Sequence, residues 1–338
     1  MVSEAMTRGA RLLLAGTIAV EPWQRPPAGP GDAVVRVLAS GICGTDVEIY
    51  RGGVEVPAGR VLGHEGAGVV ELVPPGSSLE PGAPVVVDPA IACGGCAVCR
   101  DGLPNLCPNG GLLGRELDGL FADEANVPAP NLHPLPDAVP LADAPLLQVL
   151  ATVVHAQSAV EPSPGRLCAV VGLGCAGQLH AQLLAHRGGR VLGVTRGEAK
   201  RRLAAELACE WTAAPDEAEP LARELAPLGG AELVVEAAGT PDALDLAVRL
   251  VRPGGTVLAY GIQTHAGPEL SLYRLYRKEV RLLHSRASLP HDLPVAIELA
   301  ATGAVRLAPL VSDRLPLAAA GEALERSAAG ALKVVLEH

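Results

Sequence analysis

Four cysteines fall within fifteen residues, Cys93-x2-Cys96-x2-Cys99-x7-Cys107, amid Gly, Pro and Asn. Four thiolates satisfy a tetrahedral zinc ion, and a glycine-rich loop can wrap around it. A site closed by four thiolates leaves no position for substrate, so a metal there would be structural. The competing reading, a disulfide cluster, is disfavoured in a long chain that reads as cytoplasmic. A second constellation, Gly41-Ile42-Cys43-Gly44-Thr45-Asp46 with Gly63-His64-Glu65, offers a thiol, an imidazole and a carboxylate. Cys43 and His64 are good zinc ligands and Glu65 could supply an oxygen. Alone, such a Cys or His is more often a core residue. Beside the four-cysteine lobe, the pair reads as a second and catalytic zinc site, for two zinc ions per chain.

The third motif is Gly172-Leu173-Gly174-Cys175-Ala176-Gly177. It follows the apolar run Leu167–Val171 and opens a helical stretch, the context a dinucleotide-binding turn requires. Gly172 permits the tight turn, Gly174 lets the backbone approach a pyrophosphate, and Gly177 lets the helix pack on the sheet. The helix N-terminus then faces the phosphates. At the end of the next apolar run, where an acidic residue suits NAD, the chain has Thr195-Arg196, with Lys200 and Arg201 close behind. Without a carboxylate there is no repulsion against a 2′-phosphate, and Arg196 can pair with one. The reading favours NADP(H) over NAD(H); otherwise Arg196 is a solvated surface charge.

These residues need a scaffold. From about residue 10 to 150 the chain is rich in Gly, Pro and Val, with β-like runs such as 33–38 and 68–73 separated by turn signals. From about 150 the pattern alternates: strands at 167–171, 191–195, 233–237 and 256–260, helices at 198–208 and about 241–251. That alternation predicts a parallel, doubly wound sheet. Beyond about 288 the signal is mixed, and 332–336 could return to the first domain as a strand. The expected division is 1–150, 151–287 and 288–338, an α/β chain with a β-rich first domain.

Composition narrows the partners. The chain has 338 residues, enough for two cored domains, and its net charge of −10 argues against nucleic acid and anionic membranes. Apolar runs are too short for a membrane span. Met1–Val20 mixes Glu4, Arg8 and Arg11 into its apolar residues, unlike a signal peptide. Aromatic residues are 2% of the chain, which weighs against a broad aromatic cage and for small polar or aliphatic substrates.

Together the motifs resemble the zinc-containing medium-chain dehydrogenase/reductase family, in its polyol, threonine and aminocyclitol dehydrogenase branch. The resemblance runs from about Val34 to Val335. It implies a GroES-like catalytic domain, a Rossmann domain, and a homodimer or homotetramer. Carried over, Cys43 and His64 resemble the catalytic zinc ligands, and Glu65 the neighbouring carboxylate that binds or exchanges on the metal. Thr45 resembles the hydroxyl that passes the substrate proton, and Asp46 the acid that orients His64. The implied activity is reversible hydride transfer between NAD(P) and a secondary alcohol or ketone, the substrate a small polyol, amino alcohol or cyclitol.

Three positions depart from the pattern. Gln148 stands where this branch typically has a zinc-binding Glu; it could offer a carbonyl oxygen or only hold the water. A site of Cys43, His64, Glu65 and water would then be formally neutral, which makes zinc a stronger Lewis acid. Glu48 replaces a His that often ends the proton relay; it either takes that role or is solvated. His284-Ser285-Arg286 replaces Gly-Ser and either reads a polar substrate or lies at a surface or subunit contact. Cys168, Cys209, His133 and His155 read as packing residues. Two other classes remain open from sequence: a non-redox epimerase or lyase with tightly held NAD(P), and a non-catalytic binding protein.

Overall fold

The computed structural model describes residues 5–263 and 270–338. Residues 1–4 of the N-terminal stretch, Glu4 among them, lie outside the described residues. The chain separates into two compact units: Met1–Ala151 with Ser288–Thr302 and Leu307–His338, and Thr152–Ala287 with Gly303–Arg306.

The first unit begins with β1 (Ala5–Leu14), β2 (Thr17–Arg25), β3 (Asp32–Gly41), α1 (Gly44–Tyr50), β4 (Arg60–Val61), β5 (Glu65–Leu72) and β6 (Pro84–Val87). There follow β7 (Ala90–Ile91), α2 (Ala97–Arg100), β8 (Gly111–Leu112), β9 (Glu124–Pro128), β10 (Leu132–Pro134) and α3 (Leu146–Ser158). β3 pairs antiparallel with β5, and Gly41 sits opposite Glu65 in that register. A Cβ on Gly68 would lie 2.1 Å from the Arg36 carbonyl oxygen, so the close approach of these two strands needs glycine there.

The second unit alternates. Its elements are β11 (Leu167–Val171), α4 (Cys175–His186), β12 (Arg190–Val194), α5 (Glu198–Leu207), β13 (Trp211–Ala213), α6 (Ala218–Leu225) and β14 (Ala231–Glu236). α7 (Pro241–Leu250), β15 (Val251–Ala259), α8 (Leu272–Lys278) and β16 (Arg281–His284) complete it. Among the described residues the strands order β13-β12-β11-β14-β15-β16, all parallel. Numbered by appearance this is 3-2-1-4-5-6, the doubly wound dinucleotide-binding order, and its direction reverses between β11 and β14. β11 is buried along its whole length because both faces are covered. Ala169 and Val171 pack into one core with Leu192, Val234 and Val257, and Cys168 and Val170 into another with Val191, Val235 and Leu258. Burial pushes the Cys168 and Cys209 thiols up to about 12, consistent with inert packing.

Local chemistry sets the ends. Thr240 caps α7 by accepting from the Ala243 N–H at 3.3 Å, and Pro241 opens the helix where no N–H is needed. Val251, expected as the last helical residue, instead begins β15. The Lys278 ammonium donates to the carbonyls of Val248, Arg249 and Val251 and so closes the helix C-terminus.

The chain then returns to the first unit with α9 (Asp292–Ala301), β17 (Asp313–Pro316), α10 (Ala320–Ala328) and β18 (Val334–Glu337). β18 pairs antiparallel with β3, setting Val335 opposite Gly41. The sheet reads β10-β6-β5-β3-β18-β17, with β9 also on β3. No described helix is long and apolar enough to cross a membrane.

Candidate functional site

The four-cysteine lobe folds as a cage. Its sulfurs lie within 4.8 Å of one another, with Sγ separations of 3.4 Å for Cys93–Cys107, 3.8 Å for Cys96–Cys107 and 4.0 Å for Cys93–Cys99. Four sulfurs around a tetrahedral zinc at ~2.3 Å sit roughly 3.8 Å apart, so the cage has the right size. All four are free thiols, not disulfides. Backbone N–H groups turn toward the sulfur: Cys99 N–H donates to Cys96 Sγ and Cys93 N–H to Cys107 Sγ, each at 3.4 Å. The N–H groups of Gly95 and Cys96 lower the Cys93 thiol to about 6, whereas desolvation and the neighbouring sulfurs raise Cys99 to about 12. Four thiolates this close repel one another unless a cation lies among them, so the donor set fits zinc. The lobe is closed by the β7–β8 pair and by α2, which Cys96 caps.

The second cluster forms where two neighbouring strands present their ends. Cys43 caps α1 just after β3, and beside it His64 immediately precedes β5, which Glu65 opens. Their candidate ligand atoms lie within 4.8 Å of one another. Asp46 is fully buried behind them. One carboxylate oxygen accepts from the Cys43 N–H at 2.9 Å; the other is 3.3 Å from His64 Nδ1 and finds no well-aligned hydrogen bond. With Nδ1 turned to Asp46, Nε2 is the nitrogen left to ligate. Burial opposes a charge on the His64 ring, but Asp46 and Cys43 outweigh it and hold its pKa well above the usual value. The field here is therefore one that favours a cation, and thiolate, imidazole and carboxylate fit a zinc ion with an open position.

α1 carries two more candidates. Thr45 and Glu48 are three residues apart, hence on one helix face, and both are half-buried. Gln148 lies half-buried in the first turn of α3, and its side chain makes no hydrogen bond among the described residues. His284 ends β16 exposed, and Arg286 follows, also exposed.

In the second unit the three glycines of the turn differ in the room around them. Gly172 has φ +95°, and a Cβ on it would lie 2.7 Å from the Ala238 N. A Cβ on Gly177 would fall 1.8 Å from the Gly172 carbonyl oxygen. Gly174, the residue that caps α4, would meet nothing within 4 Å. The turn is tight at both outer glycines and open at the middle one, with no side chain capping the helix N–H groups. That leaves donors aimed at a space an anion can fill. At the end of β12, Arg201 donates to the carbonyls of Thr195 and Arg196, each at 2.7 Å, and Gln178 to the Lys200 carbonyl at 2.9 Å. Arg201 thus braces the loop, and the exposed Arg196 makes no side-chain hydrogen bond among the described residues.

Sequence reasoning passed over Lys333. Its ammonium is buried and donates to both Glu65 oxygens, at 2.8 and 2.6 Å, and to the Ile42 carbonyl at 3.0 Å. The signal was present: a charge flanked by Ala331-Leu332 and Val334-Val335-Leu336 in a chain poor in lysine needs a buried partner.

The pattern of the alcohol dehydrogenase GroES-like domain matches residues 29–137, and that of the zinc-binding dehydrogenases matches 175–302. A 2-dehydro-3-deoxy-L-galactonate 5-dehydrogenase from Pseudoalteromonas atlantica is 31% identical over 87% of each chain. A zinc-binding dehydrogenase structure from Sinorhizobium meliloti 1021, bound to NADP, superposes with a TM-score of 0.91 at 31% identity, covering 99% of this chain and 100% of that one. An alcohol dehydrogenase from E. coli CFT073, complexed with NADH, has a TM-score of 0.89 at 27% identity, covering 99% and 100%. With fold, motif order and sequence in agreement over nearly its whole length, the chain belongs to the zinc-binding dehydrogenases of the alcohol dehydrogenase type and is an oxidoreductase of the alcohol–carbonyl class.

Proposed function

We propose that the protein oxidises a secondary alcohol of a small polyhydroxylated substrate, or reduces the corresponding ketone, with NADP(H) preferred over NAD(H) and two zinc ions per chain. The observation that carries this is the gathering of Cys43, His64 and Glu65 within 4.8 Å, with Asp46 buried behind His64. Cys43 and His64 hold the catalytic ion, with Glu65 and Gln148 as the neighbouring oxygen donors. Cys93, Cys96, Cys99 and Cys107 hold the structural one. When bound, catalytic zinc supplies Lewis acidity toward the substrate oxygen.

The chain's own residues supply the rest. Asp46 fixes the His64 ring. Thr45 takes the substrate hydroxyl proton, and Glu48, one turn along the same face of α1, passes it outward. Gly172, Gly174 and Gly177 shape the turn against the pyrophosphate. Thr195, Arg196 and Lys200 line the adenosine end, where Arg196 pairs with the 2′-phosphate and the carboxylate that suits NAD is missing. The relative solved with NADP agrees with this preference; the one solved with NADH keeps the alternative testable. The polyhydroxylated substrate rests on the sugar-acid relative and on the scarcity of aromatic residues. The domain roles follow: residues 1–150 and 288–338 catalytic, 151–287 dinucleotide-binding.

We also place the protein in the cytoplasm, in keeping with the four thiols of the Cys93–Cys107 lobe, which form no disulfide with one another. It assembles as a homodimer or homotetramer, with the edge strand β16 and the exposed Leu272, Tyr273 and Tyr276 of α8 as the face that needs cover.

The test is nicotinamide absorbance during turnover of a panel of polyols, amino alcohols, cyclitols and sugar acids, with each cofactor. Reduced nicotinamide must accumulate in step with product and vanish in Cys43→Ser. Product formed without that signal would show a hidden hydride transfer and contradict the proposal. Arg196→Asp lowers the NADP/NAD ratio of kcat/KM by roughly ten-fold or more, the value of one charge-assisted pair; an unchanged ratio removes Arg196 from cofactor choice.

A further inference from the structure

Residues 195–200, where β12 hands over to α5, have a backbone pinned from both ends. Arg201 closes the first turn of α5, its N–H donating to the Gly197 carbonyl at 3.1 Å. Its side chain curls back over the strand end it follows. One guanidinium nitrogen, Nη1, donates to the carbonyls of Thr195 and Arg196, each at 2.7 Å. From the other side, Gln178 of α4 is fully buried, and its amide donates to the Lys200 carbonyl at 2.9 Å. The Thr195 N–H donates to the Ala213 carbonyl of β13 at 3.2 Å. The glycine turn hangs from the same strand end, since the Gly172 N–H donates to the Val194 carbonyl at 2.9 Å.

The brace also sets the charge of the segment. A carbonyl oxygen without a donor carries partial negative charge, and two at a strand end repel a phosphate as a carboxylate there does, more weakly. Arg201 covers both oxygens with one cation. Residues 195–202 carry four basic side chains and one acid, Glu198. Arg202, one turn along α5, pairs with that acid at 3.3 Å. No side chain hydrogen-bonds the first N–H groups of α5. The strand end is therefore positive in backbone as well as in side chains.

We propose that Arg201 is a positioning residue for the choice of cofactor: it masks the Thr195 and Arg196 carbonyls from the adenosine 2′-phosphate and fixes the backbone from which Arg196 reaches that group. The inference rests on the reading above that Arg196 selects NADP(H). A phosphate monoester with about two negative charges is recognised by a planar guanidinium that pairs with its oxygens. Arg196 is that guanidinium. Arg201 spends its donors on the chain and acts through Arg196.

The experiment titrates the full chain with 2′,5′-ADP and with 5′-AMP, read by calorimetry. The two ligands differ by the 2′-phosphate, and neither carries a nicotinamide. Wild type binds 2′,5′-ADP more tightly. Arg201→Met lowers that preference by roughly 10-fold, the value of one charge-assisted hydrogen bond, while 5′-AMP affinity and melting temperature stay close to wild type. Arg201→Lys keeps a cation in reach of the carbonyls and recovers most of the preference. Should Arg201→Met not fold, Arg201→Gln, neutral but still a donor, carries the same expectation. Equal loss of both ligands would leave Arg201 a purely structural brace and overturn the proposal. An unchanged preference in the neutral variant overturns it as well. A wild type indifferent to the 2′-phosphate sinks the NADP(H) reading and the inference together. A preference that Arg196→Asp abolishes and Arg201→Met leaves intact sinks the inference alone.

Discussion

Asp46 joins the two halves of the proposed catalytic cluster, because one oxygen holds the Cys43 N–H and the other faces His64 Nδ1. Asp46→Asn keeps the shape but removes the charge that orients and polarises the ring. It is expected to lower affinity for the second zinc by roughly 10- to 100-fold with the four-thiolate lobe still loaded. Competition with a chelator, read against far-UV circular dichroism, checks this; unchanged zinc retention would make Asp46 a helix cap and nothing more. The capping role is readable in sequence from its place three residues after Cys43. The pairing with His64 is not, since it depends on how β3 and β5 align. Lys333 is a stronger case. It lies 268 positions from Glu65, and only the return of β18 onto β3 brings the two together.

At the scale of elements, the turn between β11 and α4 separates folding from binding. A Cβ on Gly177 would collide with backbone, whereas one on Gly174 would meet nothing. Gly177→Ala therefore forces the helix off the sheet and destabilises the second unit by about 1–3 kcal/mol. Gly174→Ala leaves the melting temperature nearly unchanged and weakens NADPH binding, because its methyl fills the space meant for phosphate. Calorimetry with a fluorescence titration of NADPH distinguishes them; equal effects in both variants would contradict the assigned roles. The proposed roles are legible in sequence because each follows from position in a strand–turn–helix. Element ends are less so: Val251 fits a helical pattern, but it begins β15, and Lys278, 27 residues away, donates to its carbonyl together with those of Val248 and Arg249 at the end of α7.

For the whole molecule, buried titratable groups away from the metal clusters set the pH response. Burial, with Arg187 adding to it, pushes the His180 ring down to about 3, and Gln157 donates to its Nδ1 at 3.0 Å. A histidine with a depressed native pKa binds fewer protons folded than unfolded, so its contribution is complete above about 6.5 and is lost as pH falls toward 3. Asp88 opposes this: burial raises it to about 6 against the Ala90 N–H, so stability tied to it improves as pH falls from about 6 toward 4. The His180 contribution is thus a loss of stability on acidification across that window, and the Asp88 contribution a gain. Denaturation of His180→Asn between pH 7 and pH 4 is expected to show a smaller loss of stability on acidification than wild type, and parallel curves would contradict it. The strand–helix alternation of the second unit and its glycine turn were foreseeable from periodicity and spacing. The buried charges were not, because nothing local to His180 or Asp88 marks which side chains surround them.

The account turns on a second metal at Cys43 and His64. Zinc per chain, measured in wild type and in Cys43→Ser alongside nicotinamide-linked turnover, tests it most directly. The account predicts two zinc ions and activity in wild type, then one zinc, an intact fold and no activity in the variant. One zinc per chain in an active wild type, or full activity in Cys43→Ser, would contradict it.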